Sequence, residues 1–125
     1  MLSGRRVYAT IPAAVFGRAK KWYEEKLGLK PRGEEAMGAV YELGDGTAFL
    51  LYPTHAAGQA PNTLATFSSV DVQADVAALR ARGVTFEEYD FPGLKTTNGV
   101  AKIGDRQAAW FKDSEGNILA IGDGN

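Results

Sequence analysis

The sequence predicts an α+β fold: two βαβββ modules forming a curved mixed sheet, with a concave cleft on one face and the helices on the outer face. Three observations carry this. The order strand, helix, three strands reads twice, over about 5–53 and about 63–123, on either side of a connector at 54–62. A matching phrase leads into the last strand of each half, "GDGTAFLLYP" at 44–53 and "SEGNILAIGD" at 114–123. Two helices are too few to cover both faces of all the strands, so both belong on one face, and the other must curl on itself or bury something else. The 125 residues are read as one domain, long enough to bury most of the surface that an unfolded chain exposes.

Each element has its own warrant. Residues 5–11, "RRVYATI", alternate, with Val7, Ala9 and Ile11 on one side and Arg6, Tyr8 and Thr10 on the other, the pattern of a half-buried strand. From Ala14 onward Val15, Phe16, Ala19, Trp22, Tyr23 and Leu27 recur at helical spacing, while Lys20/Glu24 and Lys21/Glu25 stand four apart on the wet side. Gly28 is the expected helix stop. Three short strands follow at about 30–36, 39–43 and 47–53, with Gly44-Asp45-Gly46 as the turn between the last two. The connector "THAAGQAPN" is small, polar and proline-bearing. After it "TLATFSS" reads as a strand, and Asp71 caps the helix "VQADVAALRAR", with Val72, Val76 and Leu79 on one stripe and Gly83 closing it. "VTFEEYD" reads as a strand and "FPGLKTTNG" as a long loop. "VAKIG" is a short strand or part of that loop, and "RQAAWFKD" with "ILAIG" makes the final hairpin.

Alternation also assigns the faces. With Val7, Ala9, Ile11, Phe49, Leu51, Ala65, Phe67, Leu119 and Ile121 toward the helices, the concave side carries Tyr8, Thr10, Leu50, Tyr52, Leu64, Thr66, Ile118 and Ala120. The first set is aliphatic or Phe, as a core should be. The second mixes aromatic, hydroxyl and apolar groups, the composition of a small-molecule cleft.

Composition excludes several functions. A formal net charge of −1 with scattered Lys and Arg gives no electrostatic footprint for nucleic acid or for an anionic membrane. No run approaches the roughly 20 apolar residues of a membrane span. The start, Arg5-Arg6 followed by "VYATIPAAVF", resembles a secretory signal only poorly, because its apolar run contains Tyr8, Thr10 and Pro12 and leads straight into an amphipathic helix. With no Cys there is no disulfide framework, thiolate nucleophile or iron–sulfur site, which fits a cytoplasmic location.

Three phrases, "RAKKWYEEKLGLKP", "VDVQADVAALRARGV" and "AAWFKDSEGNILAI", together with the repeated module order, resemble the vicinal oxygen chelate superfamily, the glyoxalase, bleomycin-resistance and extradiol-dioxygenase group. The resemblance covers nearly the whole chain. It implies the fold, but function only loosely, because lyases, epimerases, dioxygenases, thiol transferases and drug binders share this scaffold. Enzymes of the group hold a divalent metal with one His, Gln or Glu from the first and last strand of each module. The positions that correspond here are Tyr8, Leu50, Leu64 and Ala120. Leu and Ala cannot coordinate a cation, and a neutral Tyr8 alone would not hold one. Moving any of the four by one residue brings in no His, Asp or Glu. No metal and no other cofactor is therefore expected. The resemblance also implies a homodimer.

Other groups offer little chemistry. His55 is the single histidine and sits in the connector, where solvation explains it better than general-base catalysis does. Ser68-Ser69 stand at a strand end, not in a nucleophile elbow. Of the carboxylates near strands, Glu42, Glu87, Glu88 and Asp90, the adjacent Glu87 and Glu88 face opposite ways, so at least one is solvated. "DSEGN" reads as a turn. No catalytic residue is assigned. Trp110 shares a face with Ala108 and Lys112, and that face is either the cleft lining or the layer beneath the helices. Tyr41 and Tyr52 could offer hydroxyls to a ligand while their rings stack on it. Phe91, Lys95, Thr97 and Asn98 lie in the long loop, as candidates for a lid.

The reading that results is a binding protein for an aromatic or amphipathic small molecule, held in a metal-free cleft of Tyr8, Thr10, Tyr41, Leu50, Tyr52, Leu64, Thr66, Trp110 and Ala120, for sequestration or resistance. The alternatives are a lyase, epimerase or dioxygenase of the same group, and a dimeric scaffold whose cleft is filled by its own side chains.

Overall fold

The computed structural model describes residues 1–124. Module one consists of β1 (Ala9–Ala13), α1 (Phe16–Leu27), β2 (Gly33–Glu35), β3 (Gly38–Glu42) and β4 (Ala48–Pro53). Its strands stand in the order β1-β4-β3-β2, with β1 and β4 parallel and the other pairs antiparallel. Module two consists of β5 (Thr63–Ser68), α2 (Val72–Ala81), β6 (Asp90–Phe91), β7 (Leu94–Thr97), β8 (Val100–Ile103), β9 (Arg106–Lys112) and β10 (Ile118–Gly122). Its order is β5-β10-β9-β8-β7-β6, and again the first and last strands are parallel neighbours. The repeat extends to register: Thr10 stands opposite Leu50 in module one, and Thr66 opposite Ala120 in module two. The fold is α+β, and the modules form a four-stranded and a six-stranded sheet.

Local chemistry sets the element ends. Gly28 closes α1 in the left-handed region at φ 69°, its N–H donating to the Glu24 carbonyl. At α2 the Asp71 carboxylate accepts the Ala74 N–H at 3.1 Å. Between β3 and β4 a single 3-10 turn over Gly44–Gly46 carries Asp45 at φ 56°.

Three expectations meet a different structure. Val7, expected to face the helices, is exposed and lies outside β1, because β4 begins at Ala48 and the first register pair is Ala9 with Phe49. "VTFEEYD" is not one continuous strand: it contributes an isolated bridge, Phe86 to Phe111, and Asp90 at the start of β6. Beyond that bridge Glu88 turns to accept hydrogen bonds from the Thr96 hydroxyl and the Gly99 N–H. The expected long loop is instead the hairpin β6–β7, turned by Pro92-Gly93, and "VAKIG" supplies β8.

One buried cluster joins both modules. Ile11, Ala39, Tyr41, Phe49 and Leu51 meet Ala19 and Tyr23 of α1, while Ala109, Phe111, Leu119 and Ile121 meet Val72 and Val76 of α2. Trp22 of α1 stacks on Phe111 of module two, ring centroids 6.2 Å apart. At about 25 cal/mol per Å² of apolar surface this burial is the main favourable contribution to folding.

The turn at 113–117 does more than reverse the chain. Asp113 accepts the Tyr23 hydroxyl at 2.6 Å, the Asn117 amide at 2.9 Å and the backbone N–H groups of Glu115 and Asn117. Glu115 accepts the Val15 N–H at 2.7 Å and two Arg18 nitrogens at 2.9 and 3.1 Å. Asn117 donates to the Pro12 carbonyl at 2.7 Å and accepts the Gly58 N–H at 3.2 Å. Each of these three buried side chains thus joins module two to α1, β1 or the connector. Burial alone would raise the Glu115 carboxyl, but hydrogen bonds from Arg18, the Val15 N–H and Ser114 outweigh it and bring it down to about 2.

Candidate functional site

Residues directly opposite each other in a ladder point to the same face, so the register identifies what the helix-free face presents. In module one Thr10, Leu50 and Val40 lie across β1, β4 and β3, and Pro12 stands beside Tyr52. A depression of about 290 Å³ here is bordered by Tyr8, Met37 and Leu50, with Arg6, Arg32, Glu35 and Glu42 around it. Arg32 and Glu42 approach to 3.8 Å. Tyr8, just ahead of β1, is exposed.

In module two Thr66, Ala120 and Trp110 lie side by side across β5, β10 and β9. Trp110 thus faces away from the helices, opposite in sense to Phe111, which settles the side that the sequence left open. Its indole meets the Tyr89 ring edge to face at 5.6 Å, and Tyr89 in turn meets Phe91 at 5.8 Å. Tyr89 is the member that sequence reading missed. The signal in the sequence was the alternation of "VTFEEYD", which puts Tyr89 on the side of Glu87, and in the structure the Glu87 N–H bonds the Trp110 carbonyl. Burial raises the Tyr89 hydroxyl, and the neighbouring Glu87 carboxylate adds to the effect. A second depression of about 460 Å³ lies on this face, with Thr66, Ala108, Gly122, Ile103 and Arg106 among its lining residues. The depressions in the two modules have no lining residue in common.

Other expected positions are elsewhere. Tyr41 does not line the cleft. It pairs with Phe49 on the helix side, is 1% exposed, and stacks on that ring at 4.6 Å, with its hydroxyl buried and without a hydrogen-bond partner among the described residues. Burial, with Glu34 and Glu24 nearby, pushes its ionisation up to about 12. Leu64 falls at a register shift in the β5–β10 ladder and packs against the core. Among the lid candidates only Phe91 joins the aromatic group. Thr97 stands opposite Val100, itself buried in the core, and Lys95 shares that side by alternation. The Asn98 carbonyl is held by Arg80 of α2 at 2.8 Å. His55 is exposed in the connector.

The group's metal does not fit these positions. Thr10–Leu50 and Thr66–Ala120 are equivalent pairs, and Tyr8 and Leu64 each precede the Thr by two residues. The four counterparts of the metal ligands are therefore a phenol, two isobutyl groups and a methyl. Among the described residues no three His, Cys, Asp or Glu side chains come together as a metal site. Glu42 reaches Arg32, Glu87 reaches Lys112 at 3.8 Å, and Glu88 is spent on Thr96 and Gly99. Among the described residues no helix is long and apolar enough to cross a membrane.

Comparison with solved structures gives whole-chain matches. UcmS2 superposes with a TM-score of 0.74 at 21% identity, covering 96% of this chain and 98% of that one. A bleomycin-binding protein in complex with bleomycin gives 0.70 at 14%, covering 97% and 99%. TnmS3, an antibiotic-binding protein from Streptomyces sp. CB03234, gives 0.62 at 22%, covering 94% and 95%. At such identities the likeness is one of fold. Comparison with curated proteins yields no match. The family model described as Glyoxalase/Bleomycin resistance protein/Dioxygenase superfamily matches residues 6–121, nearly the full length. With the paired modules, the repeated parallel register and that match, the chain belongs to the glyoxalase/bleomycin resistance protein/dioxygenase superfamily.

Proposed function

We propose that this protein binds an aromatic or otherwise amphipathic small molecule on the helix-free faces of its sheets, without a metal, and so sequesters it. The observation that carries this is the Trp110–Tyr89–Phe91 group, on the face where the family's metal enzymes place their ligands and where this chain has Leu50 and Ala120. Planar rings stack on such a wall with favourable offset or edge geometry. Thr10, Tyr52 and Thr66 add hydroxyls on the same faces. The bleomycin complex and the antibiotic-binding neighbour support binding of this kind on this fold. A location in the cytoplasm goes with the reading, as the cysteine-free chain suits it.

The cleft is completed by a second copy of the chain. Each module carries its own half-site, the two have no lining residue in common, and apolar groups at their borders, Tyr8, Met37 and Ile103, stand exposed in the single chain. Module one of one protomer facing module two of its partner would cover both.

Isothermal titration with bleomycin and with planar aromatic antibiotics, for the wild type and for Trp110→Ala, tests the reading. Loss of an aromatic contact of about 0.5–1.5 kcal/mol should lower affinity about two- to tenfold. Equal affinity in the variant, or no heat with any of these compounds, overturns it.

A further inference from the structure

On the helix side, away from the aromatic face, a pocket of about 200 Å³ opens at the seam between the modules. Leu27, Leu29 and Leu43 come to it from module one, and Leu79, Phe111 and Ile121 from module two. The floor is rigid, because Phe111 is fully buried and clasped between Trp22 and Phe86. An apolar cavity of about 150 Å³ with Leu, Ile and Phe walls takes up benzene-sized molecules. This pocket is a groove open on one side, with the same type of wall and the volume of one such ring.

Of its lining residues one is charged, and it gives the chemistry. Asp75, in the first turn of α2, lies at the rim. Its carboxylate accepts the Ser69 hydroxyl and, among the described residues, forms no ion pair. The Ser69 bond leaves acceptor sites on the carboxylate open. We infer that the seam pocket is a binding site for a compact hydrophobic amine, its apolar body on Phe111, Leu79 and Ile121 and its ammonium group against Asp75. This site is separate from the helix-free faces and does not depend on what they bind.

Methyl NMR with benzylamine and its neutral counterpart benzyl alcohol tests it. Benzylamine should shift the methyl signals of Leu27, Leu29, Leu43, Leu79 and Ile121 saturably, with Kd on the order of 1 mM, as expected for a fragment of this size. Leu50 and Ile118, on the opposite face, should stay still. Asp75→Asn should weaken benzylamine by up to about fivefold and leave benzyl alcohol unchanged, since an exposed ion pair contributes no more than that. Ala78→Leu, at an exposed helical position on the pocket wall, should abolish binding of both probes without altering the rest of the spectrum. Absence of saturable shifts, shifts centred on Leu50 and Ile118, or undiminished binding in Ala78→Leu overturns the site. Equal loss of both probes in Asp75→Asn overturns the amine.

Discussion

Two tyrosines in one core show how much a single hydroxyl partner decides. Tyr23 and Tyr41 are both buried, with rings 5.9 Å apart. Tyr23 has Asp113 as its acceptor, and its ionisation is pushed up by burial and then by that carboxylate. Tyr41 has none. Tyr23→Phe should therefore cost about 1–3 kcal/mol in urea unfolding, because it strips a bond from a buried carboxylate. Tyr41→Phe should be neutral or stabilising by about 1 kcal/mol, and should leave ligand affinity unchanged. Glu115 contributes to the acid limb of the stability curve, as does Glu88, whose carboxyl the Thr96 hydroxyl and the Gly99 N–H hold down. The folded pKa of Glu115, about 2, lies below the ordinary 4.5, so its contribution is fully present above about 4.5 and is lost as pH falls toward 2. Glu115→Gln should flatten that limb between those two values when unfolding is followed by circular dichroism. At this scale Thr10, Leu50, Thr66 and Ala120 were legible, because alternation along a strand fixes a face. Tyr41 was not. Its side depends on how β3 registers with β4 across the Gly44–Gly46 turn, and the pairing with Phe49 appears in no local pattern.

Among the elements, the connector and the turn at 113–117 act as one joint. Gly58 stands at φ 76°, and a Cβ there would run into the Glu115 backbone carbonyl. Gly58→Ala should accordingly destabilise the fold by at least about 2 kcal/mol, measured by thermal or urea unfolding, whereas a comparable change at the open Gly93 position meets no neighbour. The sequence made "DSEGN" readable as a turn, since Asp, Gly and Asn serve that chemistry locally. That its side chains reach α1 and β1 about 100 residues back was out of reach, as |i−j| of 97 to 105 leaves no periodic trace. Pro92-Gly93 misled in the other direction: the pair that suggested a loop is the two-residue turn of a hairpin, with Phe91 opposite Leu94. Both helices, by contrast, were legible to within a few residues from spacing and caps.

For the whole molecule, the repeat identified the architecture, and the same repeat located what is different about this member. Two modules in matching parallel register bring Leu50 and Ala120 to the helix-free faces, while Tyr8 lies exposed ahead of β1 and Leu64 packs against the core at a register shift. If two copies pair as proposed, Met37→Glu, which puts a charge on an exposed apolar border, should shift the protein to monomer in sedimentation and weaken ligand binding in parallel. The most direct measurement of the central claim is the fluorescence of Trp110, isolated in a Trp22→Phe background and titrated with planar aromatic compounds in chelator and again in excess divalent metal. The account predicts saturable quenching with the same affinity in both. Binding that appears only with the metal, or fluorescence that no compound changes, would contradict it.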